Sequence, residues 1–124
     1  MARNFILIKQ VRNLIISELI MLNNLILFFK DRSYRYRIKI KNEPVHDEWS
    51  SWFILPSESY VETEKDGPIA IADIEWIEID AVEIKATGKL TPPKITNHTA
   101  TVINFLKSES IDFIETENHL QIKL

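Results

Sequence analysis

The spacing of hydrophobic residues predicts a helix at the start of the chain. Five apolar residues recur at helical spacing: Val11, Leu14, Ile15, Leu19 and Leu22. Unbroken from Asn4 to Phe29, this helix would be about 39 Å long at 1.5 Å per residue. That length exceeds the ~26 Å breadth of a domain with a radius of gyration of ~13 Å. We therefore expect a break or bend near Asn23-Asn24.

The next segment alternates strictly between apolar and basic residues, as a strand does. Tyrosine and isoleucine occupy the even positions of residues 34–41, and arginine and lysine occupy the odd positions. One face of the predicted strand is therefore apolar and faces the core, and the other is wholly basic. Pro44 ends the strand.

The middle of the chain predicts two further strands separated by a long polar loop. The first strand is Trp49–Leu55, stopped by Pro56, and the loop is Ser57–Pro68. The second strand, Ile69–Lys85, changes the phase of its alternation twice, which predicts a bulge near Trp76-Ile77 and a bend near Ala81. A strand buried on both faces is the alternative, which the interleaved carboxylates disfavour.

The last third predicts a short helix and a hairpin. After a linker turn at Thr91-Pro92-Pro93, Thr96 or Asn97 can cap a helix that runs to about Lys107. Ile111–Thr116 then pairs with His119–Leu124 through a turn at Glu117-Asn118. The whole pattern predicts an α+β fold: an N-terminal helix and a shorter second helix packed on an antiparallel sheet, a C-terminal hairpin, and one domain over residues 1–124.

Composition narrows the class of protein. The chain has 124 residues and no cysteine, which excludes disulfides and thiolate metal sites. Two glycines are too few for a phosphate-binding loop or a dinucleotide fingerprint, and we expect no cofactor.

The apolar N-terminal segment is interrupted by Lys9, Arg12 and Glu18, so we expect no transmembrane segment. We expect a cytoplasmic protein.

Charge is sorted along the chain. Residues 1–41 carry nine Lys or Arg against two Asp or Glu, whereas residues 42–83 carry one Lys against twelve Asp or Glu. The net charge of the chain is −3. Such a block indicates a surface that attracts a partner of opposite charge. We therefore expect a basic protein partner, and the residues leave open whether the chain forms a homodimer.

The basic strand has two interpretations. Arg35, Arg37 and Lys39 could follow a nucleic-acid backbone. In strict alternation, however, the neighbouring tyrosines point away from these cations, and the basic face can instead pair with Glu75, Glu78 and Asp80 on a neighbouring strand. We favour the structural interpretation, because the net charge also opposes nucleic-acid binding.

His46-Asp47-Glu48 is the one cluster that suggests catalysis or metal binding. Three consecutive side chains point in different directions, whereas a zinc site needs three or four converging ligands. We interpret the cluster as a solvated turn and assign no metal ligand and no catalytic residue. A small hydrolase or metal enzyme centred here remains an alternative.

A set of aromatic and acidic residues in the middle of the chain is the candidate partner-binding site. Aromatic anchors surrounded by carboxylates are what a protein that binds a basic partner would present. The predicted site consists of Trp49, Trp52, Glu58, Tyr60, Glu62, Glu64 and Asp66. The competing interpretation of the tryptophans is that they belong to the core.

The segment Asp73–Ile79, preceded by Gly67-Pro68-Ile69, resembles small, uncharacterised bacterial domains with an IEWLEI-type strand motif. The same domains have an amino-terminal helix, an arginine-rich strand (here residues 34–39) and an aromatic-acidic segment (here residues 46–49). Proteins of this kind resemble immunity partners, which neutralise a bacterial toxin by binding it. The resemblance implies a protein that inhibits a toxin by binding it, and it carries over neither catalytic residues nor a binding site. Together with the acidic block, it leads us to expect a non-enzymatic protein-binding module, an immunity-type inhibitor of a basic bacterial toxin.

Overall fold

The computed structural model describes residues 2–46 and 48–124, with side chains from residue 16 onward except at position 47. The chain divides after Lys30 into two compact units. The first unit contains one helix, and the second contains every strand and the other helix. A single domain over residues 1–124 stays a prediction.

The N-terminal helix α1 spans Ala2–Phe29 without interruption. The predicted break near Asn23-Asn24 is wrong. That prediction assumed that the helix had to fit within the breadth of one compact domain, whereas α1 lies in a unit of its own. Among its described side chains, Leu22 and Leu25 are fully buried.

The second unit confirms the α+β prediction, with a shorter second helix and a C-terminal strand hairpin. Its elements are β1 Arg35–Ile40, β2 Phe53–Ser57, β3 Tyr60–Thr63, β4 Ile69–Ala70, a 3₁₀ turn Ile71–Asp73, β5 Ile74–Asp80, β6 Val82–Lys85, β7 Lys94–Asn97, α2 Thr99–Ser108, β8 Ile114–Thr116 and β9 His119–Lys123. The strands form three antiparallel sheets with the orders β1-β5-β9-β8, β2-β3-β4 and β6-β7.

The apolar face of the four-stranded sheet is a fully buried part of the core. Ile77 of β5 lies directly between Ile38 of β1 and Ile122 of β9. Two residues further along β5, Ile79 lies between Tyr36 and Leu120. All six side chains are buried, as the alternating pattern of residues 34–41 predicts for β1.

The opposite face of the same sheet carries paired charges, some of which are buried. Arg35 pairs with Asp80, Arg37 with Glu78, and Lys39 with Glu75. The predicted cross-strand pairing is therefore confirmed. Glu78 and Asp80 are buried, so β5 is the strand buried on both faces that the sequence disfavoured. The carboxylates misled that prediction because Glu78 and Asp80 each have a cation directly opposite in β1.

The irregularities of β5 lie close to their predicted positions. The pairing with β1 shifts by one residue at Glu75, because Lys39 lies opposite Trp76 and Ile40 opposite Ile74. Ala81 separates β5 from β6, where the second bend is predicted. The long strand is thus divided between two sheets.

The predicted polar loop Ser57–Pro68 is wrong, because it contains β3. Strands β2 and β3 form a hairpin in which Ser57 lies opposite Tyr60. Pro56 lies inside β2, next to a shift in register between Ile54 and Ser57. Proline is tolerated at such irregular positions because no ladder hydrogen bond from its nitrogen is required.

The region around Pro92-Pro93 is also more ordered than the sequence predicts. Residues 82–85 and 94–97 pair as the two-stranded sheet β6-β7, so the linker turn is the end of a hairpin. The predicted helix cap at Thr96 or Asn97 is wrong, because His98 occupies the N-cap position of α2 and makes no side-chain capping hydrogen bond. Asn97 instead precedes the cap and accepts a hydrogen bond from the backbone N–H of Thr99 at 2.9 Å. Glu117 and Asn118 have φ values of 45° and 74°, the left-handed geometry predicted for the last turn.

Candidate partner-binding site

The β2-β3 hairpin brings part of the predicted site together on one face. Ile54 lies directly opposite Glu62, and the backbone N–H of Glu64 donates to the carbonyl of Trp52 at 3.4 Å. Since alternate residues of a strand share a face, five side chains lie on the same side of the hairpin. We call this surface the acidic hairpin face; it consists of Trp52, Ile54, Tyr60, Glu62 and Glu64.

The apolar residues of this face are unusually exposed. Trp52, Ile54 and Tyr60 each leave between 41% and 45% of their surface open. The other side of the hairpin is buried, with Phe53 in edge-to-face contact with Tyr36 and Val61 fully enclosed. One side therefore anchors the hairpin in the core, while the other presents an apolar cluster of the kind that marks interaction sites.

The carboxylates at this face keep most of their negative charge uncompensated. Glu64 is the one with a cation nearby: its Oε1 lies 3.7 Å from the Lys65 Nζ. Within the described part of the chain, Glu58, Glu62 and Asp66 have no ion pair. The acidic hairpin face is thus bordered by a net negative potential.

The Glu64 carboxylate is held in place by Ser51. Its Oε2 accepts hydrogen bonds from the Ser51 hydroxyl and from the Ser51 backbone N–H. These bonds, followed by the charge of Lys65, hold the pKa of Glu64 below its usual range. Glu64 therefore keeps its charge at a lower pH than an ordinary glutamate does.

Ser51→Ala is expected to raise the pKa of Glu64 toward the ordinary glutamate value. The stabilisation linked to this ionisation is present above the ordinary carboxyl range and is lost as the pH falls through the lowered pKa. An NMR titration of the Glu64 side chain measures the shift. Ser59→Ala is the matched control, because the Ser59 contacts do not include Glu64. An unchanged Glu64 titration in Ser51→Ala would contradict the assignment.

Glu58 and Asp66 lie at the two ends of the acidic hairpin face. Glu58 is in the turn between β2 and β3, and Asp66 follows β3 in a turn that is hydrogen-bonded to Thr63.

Ile54 belongs to the face but was not in the predicted site. Its alternation with Trp52 is visible in the sequence, but the predicted strand Trp49–Leu55 alone does not show which of its faces is exposed.

The structure places the Trp49 side chain elsewhere, on the charged face of the four-stranded sheet. Its ring lies 4.2 Å from the guanidinium of Arg37 and 5.3 Å from that of Arg35. It also makes an edge-to-face contact with His119, with ring centroids 4.8 Å apart. Trp49 therefore covers the paired charges of the sheet, a contact that stabilises cations through the aromatic ring.

Beneath Trp49, the Glu78 carboxylate is held by a network of side chains. Its Oε1 accepts from the Arg37 Nε at 2.8 Å and lies 3.4 Å from the His119 Nδ1. Its Oε2 accepts from Thr116 at 3.4 Å and Gln121 at 3.3 Å. Both oxygens of the Glu78 carboxylate therefore contact neighbouring side chains. This buried group stabilises the pairing of the strands.

The same pairing engages the cations that a nucleic-acid site on β1 would use. A cation that tracks a phosphate backbone must be free to exchange counterions for phosphates. Arg35, Arg37 and Lys39 are each engaged by a carboxylate of β5, and Trp49 covers two of them. The structural interpretation of the basic strand is confirmed.

The His46-Asp47-Glu48 cluster offers no converging set of ligands in the described part of the chain. The ring of His46 lies against that of Trp76, with centroids 6.0 Å apart. Asp47 lies outside the described residues. Among the residues that are described, no group of three or more acidic or histidine side chains converges as a metal site would require.

Fold and site together define a small α+β protein that exposes an acidic, aromatic strand hairpin. The chain belongs to a family of unknown function, DUF6678, whose model matches residues 21–123. No curated protein and no solved structure matches it. Across the described residues, neither helix combines the length and apolar character needed to cross a membrane.

Proposed function

We propose that this chain is a non-enzymatic protein-binding module whose acidic hairpin face docks a basic partner protein. The observation that carries the proposal is the presence of three exposed apolar side chains and two carboxylates on one side of a hairpin. Tryptophan and tyrosine supply a large contact area at low entropic cost, which is why they dominate binding hot spots. The other side of the hairpin is packed in the core, so the face is already ordered before it binds.

The carboxylates supply attraction and selectivity. Acidic fields steer a basic partner and raise the association rate, to as much as 10⁸–10⁹ M⁻¹s⁻¹ at low salt. Their effect falls off beyond a screening length of about 8 Å at physiological ionic strength. Binding that depends on Glu58, Glu62, Glu64 and Asp66 should therefore weaken as salt is added.

Within this proposal, the partner is a basic bacterial toxin and the chain is its immunity-type inhibitor. An inhibitor of this kind needs no catalytic group, because covering the functional surface of the toxin is sufficient. The uncompensated carboxylates and the resemblance of residues 73–79 to domains of this type support the idea.

Reversing the charge of four carboxylates is expected to abolish partner binding. The variant E58K/E62K/E64K/D66K places like charges against a basic surface, which costs several kcal/mol and corresponds to a loss of affinity of about a hundredfold or more. Partners captured from the native host by the wild-type chain are identified by mass spectrometry. Calorimetry at two salt concentrations then measures their affinity for each variant.

The control E109K/D112K/E115K/E117K changes the net charge by the same amount at four exposed positions outside the face. It is expected to bind far more tightly than the first variant. Equal affinities for the two variants, or an unchanged salt dependence, would remove the acidic hairpin face as the site. For the immunity role, co-expression should protect cells from the captured partner, and the first variant should not.

A further inference from the structure

The β6-β7 hairpin carries a second exposed apolar cluster. Ile84 and Ile95 lie directly opposite each other and are 62% and 66% exposed, and Leu90 at the tip is completely exposed. We call residues 82–97 the basic arm. Three large apolar side chains in one short hairpin are too many to be scattered surface residues, and they mark an interaction site.

The charge of the arm is opposite to that of the acidic hairpin face. It carries Lys85, Lys89 and Lys94 against one carboxylate, Glu83. Lys85 pairs with Glu83 at 3.4 Å, but within the described residues Lys89 and Lys94 have no ion pair. Lys85 also lies directly opposite Lys94, an arrangement that disfavours an isolated hairpin. An acidic partner would relieve that repulsion.

The tip of the arm has a defined shape. The Thr87 hydroxyl lies 3.0 Å from that of Thr91 and donates to the carbonyl of Pro92 at 3.1 Å. A Cβ at Gly88 would lie 2.9 Å from the Thr91 Oγ1, so a larger residue there would push the Thr91 hydroxyl aside. Leu90 and Lys89 are thus displayed on an organised loop, which reduces the entropy lost on binding.

We infer that the basic arm docks on the acidic hairpin face of a second copy of this chain. The two surfaces match in kind, because each combines three exposed apolar side chains with charges that the fold leaves unpaired, and the charges have opposite sign. A chain with a net charge of −3 is poorly suited to an anionic membrane, whereas its own acidic face attracts the arm. The inference rests on the proposed function, since self-association covers the face that a basic partner uses.

The association should be weak and sensitive to salt. Two short hairpins bury less than the ~1,600 Å² of a standard stable interface. Because two different surfaces meet, the contact either closes reciprocally in a two-fold dimer or continues from copy to copy into a ring or an open chain. A tighter basic partner would then displace the arm and dissociate the assembly.

Charge reversal on either surface should abolish self-association, and mixing should restore it. In K89E/K94E the arm becomes acidic, and in E58K/E62K one carboxylate of the acidic hairpin face and one at its end become lysines. Each variant alone then has two surfaces of like charge, whereas an equimolar mixture again offers opposite charges. Sedimentation velocity over increasing protein concentration at low salt should show the wild-type chain and the mixture assembling, and each variant alone staying monomeric, with an apparent dissociation constant at least about tenfold higher.

K41E/K107E is the matched control, because it reverses two exposed lysines outside the arm and should assemble like the wild type. A wild-type chain that stays monomeric at every concentration would overturn the inference, as would a mixture that does not assemble. Binding of monomeric wild type, but not K89E/K94E, to vesicles of phosphatidylserine and phosphatidylcholine would assign the arm to a membrane instead. The proposed function fails separately, because K89E/K94E leaves the acidic face intact and should still bind the basic partner.

Discussion

Replacing Arg37 with alanine is expected to lower the free energy of unfolding by about 3 to 5 kcal/mol. The side chain of Glu78 is only 5% exposed, and Arg37 supplies its closest hydrogen bonds. Without the guanidinium, a buried carboxylate keeps only its longer contacts with His119, Thr116 and Gln121. Trp49 would also lose the cation beneath its ring. Urea denaturation followed by far-ultraviolet circular dichroism measures the loss.

The pair formed by Lys39 and Glu75 is the matched control on the same two strands. The side chain of Glu75 is 46% exposed, so water can replace the lysine. Lys39→Ala is therefore expected to cost at most about 1 kcal/mol. Double-mutant cycles sharpen the comparison: Arg37 and Glu78 should be coupled by more than about 1 kcal/mol, and Lys39 and Glu75 by less than about 0.5 kcal/mol. Equal couplings would contradict the role assigned to burial.

Ile77→Ala is expected to destabilise the chain by about 2 to 5 kcal/mol. Ile77 is 1% exposed at the centre of the apolar face, between Ile38 and Ile122. The substitution removes buried methyl groups and leaves a cavity that neighbouring strands can close only in part. The same urea titration measures the effect.

Ile84→Ala makes the same chemical change at an exposed strand position of the basic arm. Its effect on stability should stay within about 0.5 kcal/mol. If the arm docks as inferred, however, Ile84→Ala should weaken self-association. A similar loss of stability for both substitutions would show that Ile84 belongs to the core.

Within the acidic block of residues 42–83, two groups of carboxylates have different roles. Glu75, Glu78 and Asp80 are taken up by the cations of β1 and stabilise the sheet. Glu58, Glu62 and Asp66 stay free of ion pairs within the described chain and border an exposed aromatic surface. Uncompensated negative potential therefore survives folding at the β2-β3 hairpin, and the functional proposal depends on it.

Strands with a strong local alternation of side chains were predicted correctly from the sequence. Strands with a weak alternation were missed. The alternation of residues 34–41 predicted β1 and both of its faces because a strand has a fixed period of two. The strand Tyr60–Thr63 was missed because it is short, polar residues surround its Tyr60 and Val61, and Pro56 comes shortly before it. β7 was missed for a similar reason, since Lys94–Asn97 follows two prolines and is largely exposed.

The candidate site was likewise predicted only in part from the sequence. The sequence identified Trp52, Tyr60, Glu62 and Glu64 from their composition, and the hairpin register brings all four together. It could not separate Trp49 from them, because nothing local shows that this ring lies on Arg37 and His119. Nor could it add Ile54, since exposure depends on which side of the hairpin the core occupies.

By itself, the sequence determined the fold class, the apolar and basic faces of β1, and the separation of charge along the chain. These properties follow from side-chain periodicity and composition, which act locally. Only the tertiary structure decided that β5 is buried on both faces, which carboxylates are neutralised and which remain exposed. Those outcomes depend on the register between strands distant in sequence, because an ion pair forms only where pairing places opposite charges within contact.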